Sequence, residues 1–362
     1  MEQNWKEQIP TPALVLNYDQ MVKNMEYMAD FVKKNNVNLR QHVKTAKIPL
    51  VAHIQQKIAG ENAKGIAVAK VGEAEIYAQA GFDDILIANQ VINPSHIERM
   101  VLLNKYIDIR CCVDSKKNID DINRIASKYN STLELLIDVD LGMGRTGVKP
   151  GEPALDLANY IREKSHLKLV GLQGYEGHLT PQTDHDLRKE QTEACMKDLV
   201  DTRDLINDNG FDISWLSASG SGTFMFSAEY PGITEVQPGT YVFSDEHVYR
   251  VVEDFIPAVT VLGTISNKMG KRLYTMDAGT KAFPTGDGRP EFKGHPKCRF
   301  RVVTEEHSQF KAGTKDDFEI GDKIELIPAH ICITVNIYDH IHVVKSGEYV
   351  GKWKILARGK NY

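Results

Sequence analysis

The sequence predicts an α/β fold in which a closed (β/α)8 barrel is followed by a smaller, mostly β domain. Short apolar runs alternate with amphipathic stretches through about eight units up to residue 245, which favours a parallel sheet covered by helices. From about residue 248, strand-like runs follow one another with turns between them and no clear helix, a pattern typical of a β domain. The 362 residues are enough for both parts.

The elements of the barrel follow from hydrophobic spacing. The first helix is indicated by an apolar stripe at i, i+4, i+7 and i+11, formed by Met21, Met25, Met28 and Val32. A strand-like segment, LRQHVKTAK, follows at 39–47. The later strands are GIAVA (65–69), DILIAN (84–89), DIRCCVD (108–114), LELLIDVD (133–140) and LKLVGLQGY (167–175), with helices between them. We therefore expect the barrel at 18–247 and the β domain at 248–362, with residues 1–17 adding a strand to the β domain.

Composition excludes several classes of protein. The 44 basic and 49 acidic side chains give a formal charge of −5 without a long basic run, so neither a nucleic-acid nor a membrane partner is expected. No stretch of about 18 apolar residues is present, and the first residues do not resemble a signal peptide. Five cysteines without paired spacing indicate reduced thiols and a cytoplasmic protein.

The segment at 39–47 carries the first candidate residue, Lys44. On a strand, Arg40, His42 and Lys44 share one face, and barrel enzymes place their reactive groups at the carboxyl ends of strands. A lysine in a dry site can form a Schiff base, and neighbouring positive charge would help it lose its proton. The alternative is an exposed strand end with solvated lysines.

Further strand ends carry an arginine, a histidine and two glycine-rich turns. In IDVDLGMGRTGV, a tight loop presents Arg145, which suits an anionic oxygen or a structural salt bridge. GLQGYEGH ends in His178, a candidate general base or merely a locally hydrogen-bonded histidine. SASGSGTF (217–224) and VQPGTYVF (236–243) allow backbone N–H groups to approach a phosphate.

PAHICITVN, in the β domain, contains a possible metal pair. On a strand, His330 and Cys332 point to the same face and can bind one ion. The thiolate favours Zn²⁺ over Mg²⁺, and His307 is a possible further ligand. The alternative is a buried cysteine beside an incidental histidine.

Together these segments resemble the D-threonine aldolase and D-serine dehydratase family, metal-activated pyridoxal phosphate enzymes with an alanine-racemase-type barrel. The resemblance extends from TPALVL to ILARG. RQHVKTAK resembles the family segment Arg-Pro-His-x-Lys-Thr-His-Lys, with Gln41 in place of proline and Ala46 in place of histidine.

The resemblance implies a role for each candidate. Lys44 would form the Schiff base, His178 would be the aldolase base, and a divalent metal would lie at His330 and Cys332. The residues that it places around the cofactor are Arg145, Tyr175, Gly220, Ser221, Gly222, Gly239 and Thr240. A small β-hydroxy-D-amino acid as substrate and a homodimer are also implied.

The resemblance leaves the reaction open. His-x-Cys is the dehydratase form of the metal motif and suits Zn²⁺, whereas aldolases usually carry His-x-Asp and take Mn²⁺ or Mg²⁺. VGEAEIYAQAGFDDILIANQVI is closer to the aldolase branch. We therefore expect D-threonine aldolase-like cleavage to glycine and an aldehyde. The alternative is a D-serine or 3-hydroxy-D-aspartate dehydratase that yields a 2-oxo acid and ammonia. An amino-acid racemase and a non-catalytic pyridoxal phosphate-binding protein are further alternatives.

Overall fold

The computed structural model describes residues 4–362, and its first two-thirds alternate strands with helices. The elements in this part are β1 (Ala13–Asn17), α1 (Tyr18–Asn35), β2 (Asn38–His42), α2 (Pro49–Ala59), β3 (Ala63–Val68), α3 (Val71–Gln79), β4 (Asp84–Gln90), α4 (Pro94–Leu103), β5 (Asp108–Val113), α5 (Lys116–Lys128), β6 (Leu133–Val139), α6 (Glu152–Arg162), β7 (Leu167–Gly174), α7 (His185–Asp208), β8 (Trp215–Ala218), α8 (Phe224–Glu229), β9 (Glu235–Val236) and α9 (Glu246–Val251). Strands β2 to β9 form a closed barrel, and parallel pairing of β2 with β9 completes the ring. The predicted (β/α)8 barrel is confirmed.

The remaining elements are mostly strands, arranged in a nine-stranded sheet. They are β10 (Val259–Gly270), β11 (Leu273–Met276), β12 (Glu291–Phe292), β13 (Arg299–Val303), β14 (Ser308–Lys311), β15 (Lys323–Ile327), α10 (Ile331–Asn336), β16 (His340–Lys345) and β17 (Glu348–Lys354). The main order is β13-β14-β11-β10-β1-β16-β17, with β15 paired to β10 and β12 paired to β15. Strand β1 is antiparallel to β10 and parallel to β16. The expectation of no helix after residue 248 is wrong at α10.

The chain divides into two compact units. The barrel unit comprises residues 26–44, 49–239 and 360–362, and the β unit comprises the residues up to 25 together with 45–48 and 240–359. All five cysteines are free, as the sequence predicts. Among the described residues, no helix has the length and apolar character needed to cross a membrane.

The helices of the barrel pack through the apolar stripes that predict them. In α1, the side chains of Met21, Met25, Met28 and Val32 are fully buried. In α5, Ile119, Ile122 and Ile125 form the equivalent stripe. Apolar side chains at this spacing form one face of a helix, and burying that face is the main source of its stability.

A buried ion pair joins the first and last strands of the barrel. Arg40 on β2 is 3% exposed and donates from Nε to both carboxylate oxygens of Glu235 on β9 at 3.0 Å. The same guanidinium donates to Asp84 at 2.7 Å and lies 4.9 Å from the ring centre of Trp215. The charge of Arg40 is therefore matched by two carboxylates.

Replacing Arg40 by methionine tests the importance of this pair. The variant leaves Glu235, which is 1% exposed, without its counter-charge, and an uncompensated buried charge lowers the free energy of unfolding by about 3–5 kcal/mol. Urea denaturation measures the change. The matched control is Arg124→Met, which removes an exposed pair with Asp121 at 3.2 Å and is expected to cost less than about 1 kcal/mol. Similar small losses in both variants would contradict the prediction.

Candidate functional site

Lys44 lies in a turn just beyond the carboxyl end of β2. The strand stops at His42, and residues 43–46 form the turn, so the expectation that Arg40, His42 and Lys44 continue on one strand face is wrong. The charge of Arg40 is held by Glu235 and Asp84. The Lys44 side chain is half-buried. Within the described chain, it has no hydrogen-bond or ion-pair partner, which leaves its amine available for a ligand.

The loop after β6 presents Arg145 and is held by carboxylates. Asp140 accepts hydrogen bonds from the amides of Gly142 and Gly144 at 3.1 and 2.9 Å, and both glycines have positive φ. Thr146 donates to the buried Asp138 at 2.9 Å. Burial raises the pKa of Asp138, although the hydrogen bonds that it accepts oppose this shift. The loop is therefore fixed by bonds on both sides of Arg145.

Arg145 itself has no acidic partner among the residues that the structure describes, so the expected alternative of a salt bridge is wrong. Its side chain is exposed, and its guanidinium lies 5.4 Å from the ring centre of Tyr175. A guanidinium in this state can bind an anionic or aromatic group of a ligand.

The segment after β7 brings Tyr175 against the first glycine-rich turn. A Cβ atom at Gly220 would lie 3.0 Å from Cε2 of Tyr175, and one at Gly177 would lie 2.4 Å from Cε1. His178 is exposed in a short 3-10 helix at Gly177–Leu179, and its ring is near Gly142 of the arginine loop. Three of the predicted segments therefore meet at the carboxyl end of the barrel.

The two glycine-rich turns follow β8 and β9. In the first turn, Ser219 has a φ of 67° and Ser221 is buried. The amide of Gly222 makes no backbone hydrogen bond to any described residue. In the second turn, a Cβ atom at Gly239 would lie 2.3 Å from the carbonyl oxygen of His42, so only glycine fits there. This turn is thereby packed against the end of β2.

His330 and Cys332 lie at the start of a helix, so the prediction that they occupy a strand is wrong. His330 is the N-cap of α10, and Cys332 is its second residue. The amide of Ile331 donates to the side chain of Asp245 at 3.0 Å, and Asp245 also caps α9 through the amide of Val248 at 3.0 Å. Because Asp245 binds both helix starts, it fixes where α10 begins.

The two side chains are suited to a metal ion although they do not lie on a strand. Nδ1 of His330 lies 2.7 Å from the carboxylate of Asp287, and the imidazole also hydrogen-bonds Cys332. Hydrogen bonding to Cys332 and to Asp287 raises the pKa of His330 to about 9, while burial opposes the shift. An imidazole backed by a carboxylate, beside a thiol, is a donor set that zinc accepts.

Besides His330, two threonine hydroxyls lie close to Cys332. Thr45, the residue after Lys44, has its Oγ1 atom 3.1 Å from the Cys332 sulfur, and Oγ1 of Thr240 is 3.8 Å away. The described residues contain no group of three or more His, Cys, Asp or Glu side chains that could hold a metal. His307 is exposed, and its carbonyl accepts a hydrogen bond from Thr304 in the turn between β13 and β14. It does not form a group of three metal ligands with His330 and Cys332.

Several supporting residues escaped the sequence reasoning. They are Thr45, Asp138, Asp140, Asp245, Asp287 and Asp114, which accepts a hydrogen bond from the amide of Gly147 at 3.1 Å. The strand-end position of Asp138 and Asp140 in LELLIDVD was a usable signal. The other four have no distinctive spacing, because each acts on a group that lies far from it in sequence or on a backbone amide.

Comparison with known proteins places the chain in a family. Residues 16–247 match the family described as alanine racemase, N-terminal domain, and residues 258–344 match the putative serine dehydratase domain. A solved structure of D-threonine aldolase from Filomicrobium marinum is 30% identical, covers 98% of this chain and 97% of its own, and superposes with a TM-score of 0.94.

Curated relatives carry names from both the aldolase and the dehydratase branches. The 3-hydroxy-D-aspartate aldolase of Paracoccus denitrificans is 28% identical over 99% of this chain and 94% of its own length. The D-threonine aldolase of an Arthrobacter species is 29% identical over 97% of this chain and 93% of its own length. The D-threo-3-hydroxyaspartate dehydratase of a Delftia species is 26% identical over 96% of this chain and 97% of its own length. The chain belongs to the D-threonine aldolase and D-serine dehydratase family, whose barrel is the alanine racemase N-terminal domain.

Proposed function

We propose that this chain is a lyase that acts on β-hydroxy-D-amino acids with pyridoxal 5'-phosphate and a divalent metal ion. The observation that carries the proposal is the state of Lys44, half-buried beyond the first barrel strand and without a polar partner among the described residues. A lysine amine that no carboxylate holds is available to form a Schiff base. The aldolase and dehydratase relatives support the same reaction class.

The residues that would hold the cofactor are those that the family resemblance implies. The set comprises Lys44, Arg145, Tyr175, Gly220, Ser221, Gly222, Gly239 and Thr240. Glycine-rich turns with available amides suit a phosphate group, and the free amide of Gly222 supports that role. The exposed guanidinium of Arg145, near the Tyr175 ring, suits an anionic oxygen.

The residues that would hold the metal are His330 and Cys332. Asp287 orients the imidazole through Nδ1, and the imidazole and the adjacent Cys332 sulfur would bind the ion together. The thiol favours Zn²⁺, while Mn²⁺ or Mg²⁺ would rely on further oxygen ligands. Because two protein donors are fewer than a catalytic zinc usually has, water or the substrate would complete the coordination.

The expected reaction is retro-aldol cleavage to glycine and an aldehyde. When bound, pyridoxal phosphate supplies an electron sink at Cα and the metal polarises the β-hydroxyl. Lys44 would hold the cofactor until the substrate amine replaces it. His178 is exposed and makes no hydrogen bond to the described residues, so its imidazole is available to take the proton of the β-hydroxyl.

Dehydration is the second candidate, and Cys332 is the observation that favours it. The dehydratase branch of the family typically has cysteine in the metal motif. In this reaction Lys44 would remove the Cα proton, the hydroxyl would leave, and the products would be a 2-oxo acid and ammonia. The identity to the Delftia dehydratase is 26%, against 28–30% for the aldolases, which ranks cleavage first.

We also infer that the chain forms a homodimer, an inference that rests on the family resemblance alone. Analytical ultracentrifugation of the purified protein would test it against a monomer.

The reaction is tested with D-threonine, D-serine and 3-hydroxy-D-aspartate, assayed separately with added pyridoxal phosphate and Zn²⁺ or Mn²⁺. We expect glycine and acetaldehyde from D-threonine, quantified by chromatography, and no turnover of the L-enantiomers. Formation of 2-oxo acid and ammonia would identify the dehydratase instead. Turnover that survives a chelator and yields only the opposite enantiomer would identify a racemase and contradict the proposal.

The role of Lys44 is tested by Lys44→Ala. The purified wild-type protein is expected to show the absorbance of cofactor bound through a Schiff base, and borohydride should fix the cofactor to the chain. The variant should lose both properties and its activity, because no other amine replaces the lysine. Lys57→Ala, which removes an exposed lysine on α2, is the control and should retain them. A reducible adduct that persists in Lys44→Ala would refute the assignment.

The metal pair is tested by His330→Ala, with metal content measured by mass spectrometry. The variant should lose the metal and the activity but keep the cofactor, because the two groups are held by different residues. Asp287→Asn should weaken metal binding by about 10–100-fold, since it supports the imidazole from behind. His307→Ala is the matched control and should keep its metal. Unchanged metal content in His330→Ala would exclude this site.

A further inference from the structure

Glu176 is a buried acid for which the proposed reaction has no use. Its side chain is 0% exposed, and in the chain it lies between Tyr175 and the His178 segment. Burial raises the pKa of its carboxyl, while hydrogen bonds from Thr223 and Ser227 oppose the shift. Burying an ionisable group costs free energy unless hydrogen bonds compensate it, so the partners of Glu176 indicate what it stabilises.

Those partners lie at the end of the first glycine-rich turn and in α8, the helix that follows it. Oε1 of Glu176 accepts a hydrogen bond from the hydroxyl of Thr223 at 2.5 Å and one from the hydroxyl of Ser227 at 3.3 Å. The Thr223 hydroxyl also accepts from the amide of Gly220 at 3.4 Å. Thr223 therefore relays the carboxyl of Glu176 to the backbone of the turn.

Other interactions also fix the conformation of the turn, among them a hydrogen bond of the Glu176 carboxyl with the backbone of Ser219. Ser219 adopts a φ of 67°, which a residue with a side chain rarely adopts. The carbonyl of Gly220 accepts from the amides of Thr223 and Phe224 at 3.3 and 3.1 Å. The outer side of Gly220 packs against the Tyr175 ring. Tyr175 and Glu176 are consecutive, so the same short segment contacts the turn from two directions.

We propose that Glu176 is a positioning residue that holds the turn at 219–223 in register with the Tyr175–His178 segment, through the hydroxyl of Thr223. This inference rests on the proposed function, because the turn is taken to bind the cofactor phosphate. Glu176 touches neither cofactor nor substrate. Its loss lets the turn move relative to Tyr175, and the amides then no longer converge on the phosphate.

The test compares pyridoxal phosphate with pyridoxal, which lacks the phosphate. Each is titrated against cofactor-free protein, and the ratio of the two dissociation constants isolates the contribution of the phosphate. In Glu176→Leu and in Thr223→Val, we expect pyridoxal phosphate to bind about tenfold more weakly, as for the loss of one hydrogen bond to a charged group, with pyridoxal binding unchanged. General loosening of the fold would weaken both ligands equally.

Conservative variants and a double mutant sharpen the test. Glu176→Gln keeps an oxygen that accepts from Thr223, and Thr223→Ser keeps the hydroxyl, so both should restore most of the phosphate preference. The Glu176→Leu/Thr223→Val double variant should be no weaker than either single variant, because both remove the same link. If Glu176→Leu does not fold, as shown by its thermal unfolding, Thr223→Val carries the test.

The outcomes separate the two proposals. If the wild-type protein binds no pyridoxal phosphate, the proposed function fails. If the wild-type protein binds it with a strong preference over pyridoxal and Thr223→Val keeps that preference, the proposed function stands and the proposed link from Glu176 through Thr223 is refuted. Strictly additive effects in the double variant would also refute the link through Thr223.

Discussion

The barrel depends on how its first strand is joined to its last. Strand β9 contributes only two residues, and its pairing with β2 is limited to Asn38 with Glu235 and Leu39 with Val236. So few ladder bonds make a weak seam, and the ion pair between Arg40 and Glu235 crosses it inside the barrel. Removing either partner would leave a buried charge without its counter-charge, which is strongly destabilising.

The same seam sets the position of Lys44. Just beyond Glu235, the carbonyl of Pro238 accepts from the amide of His42 at 3.1 Å, and Gly239 packs on the carbonyl of His42. The end of β2 is thus held by the chain that follows β9, and the turn with Lys44 begins one residue later. The buried pair of Arg40 and Glu235 and the packing of Gly239 on His42 together fix the end of β2 and thereby the position of Lys44.

The sequence predicted the barrel well because its information is local. Doubly buried strands are continuous apolar runs, and helix faces repeat at a fixed spacing, as in α1. The role of Arg40 was not predictable in this way, since its partner Glu235 is 195 positions away. A strand pattern can indicate which side of the sheet the Arg40 side chain lies on. It does not indicate which carboxylate lies next to that side chain in the fold.

At the proposed metal pair, the local sequence pattern was misleading and a distant residue determined the backbone. HICITVN is rich in β-branched residues, which favour a strand, yet Asp245 binds the amide of Ile331 and a helix forms. The sequence therefore assigned the wrong backbone to the two side chains that we propose as metal ligands. Asp287, which supports His330, was missed because an aspartate in a glycine-rich loop has no distinctive pattern.

The two candidate reactions share one requirement, a polarised β-hydroxyl, and differ in the base that removes a proton. Both need the β-hydroxyl to be polarised, so a metal ion at the proposed pair, His330 and Cys332, would serve either one. They differ in the base, because cleavage removes the hydroxyl proton and dehydration removes the Cα proton. An exposed His178 without a partner is suited to the first task, and Lys44 to the second. The choice between them therefore depends on which of the two bases acts on the substrate.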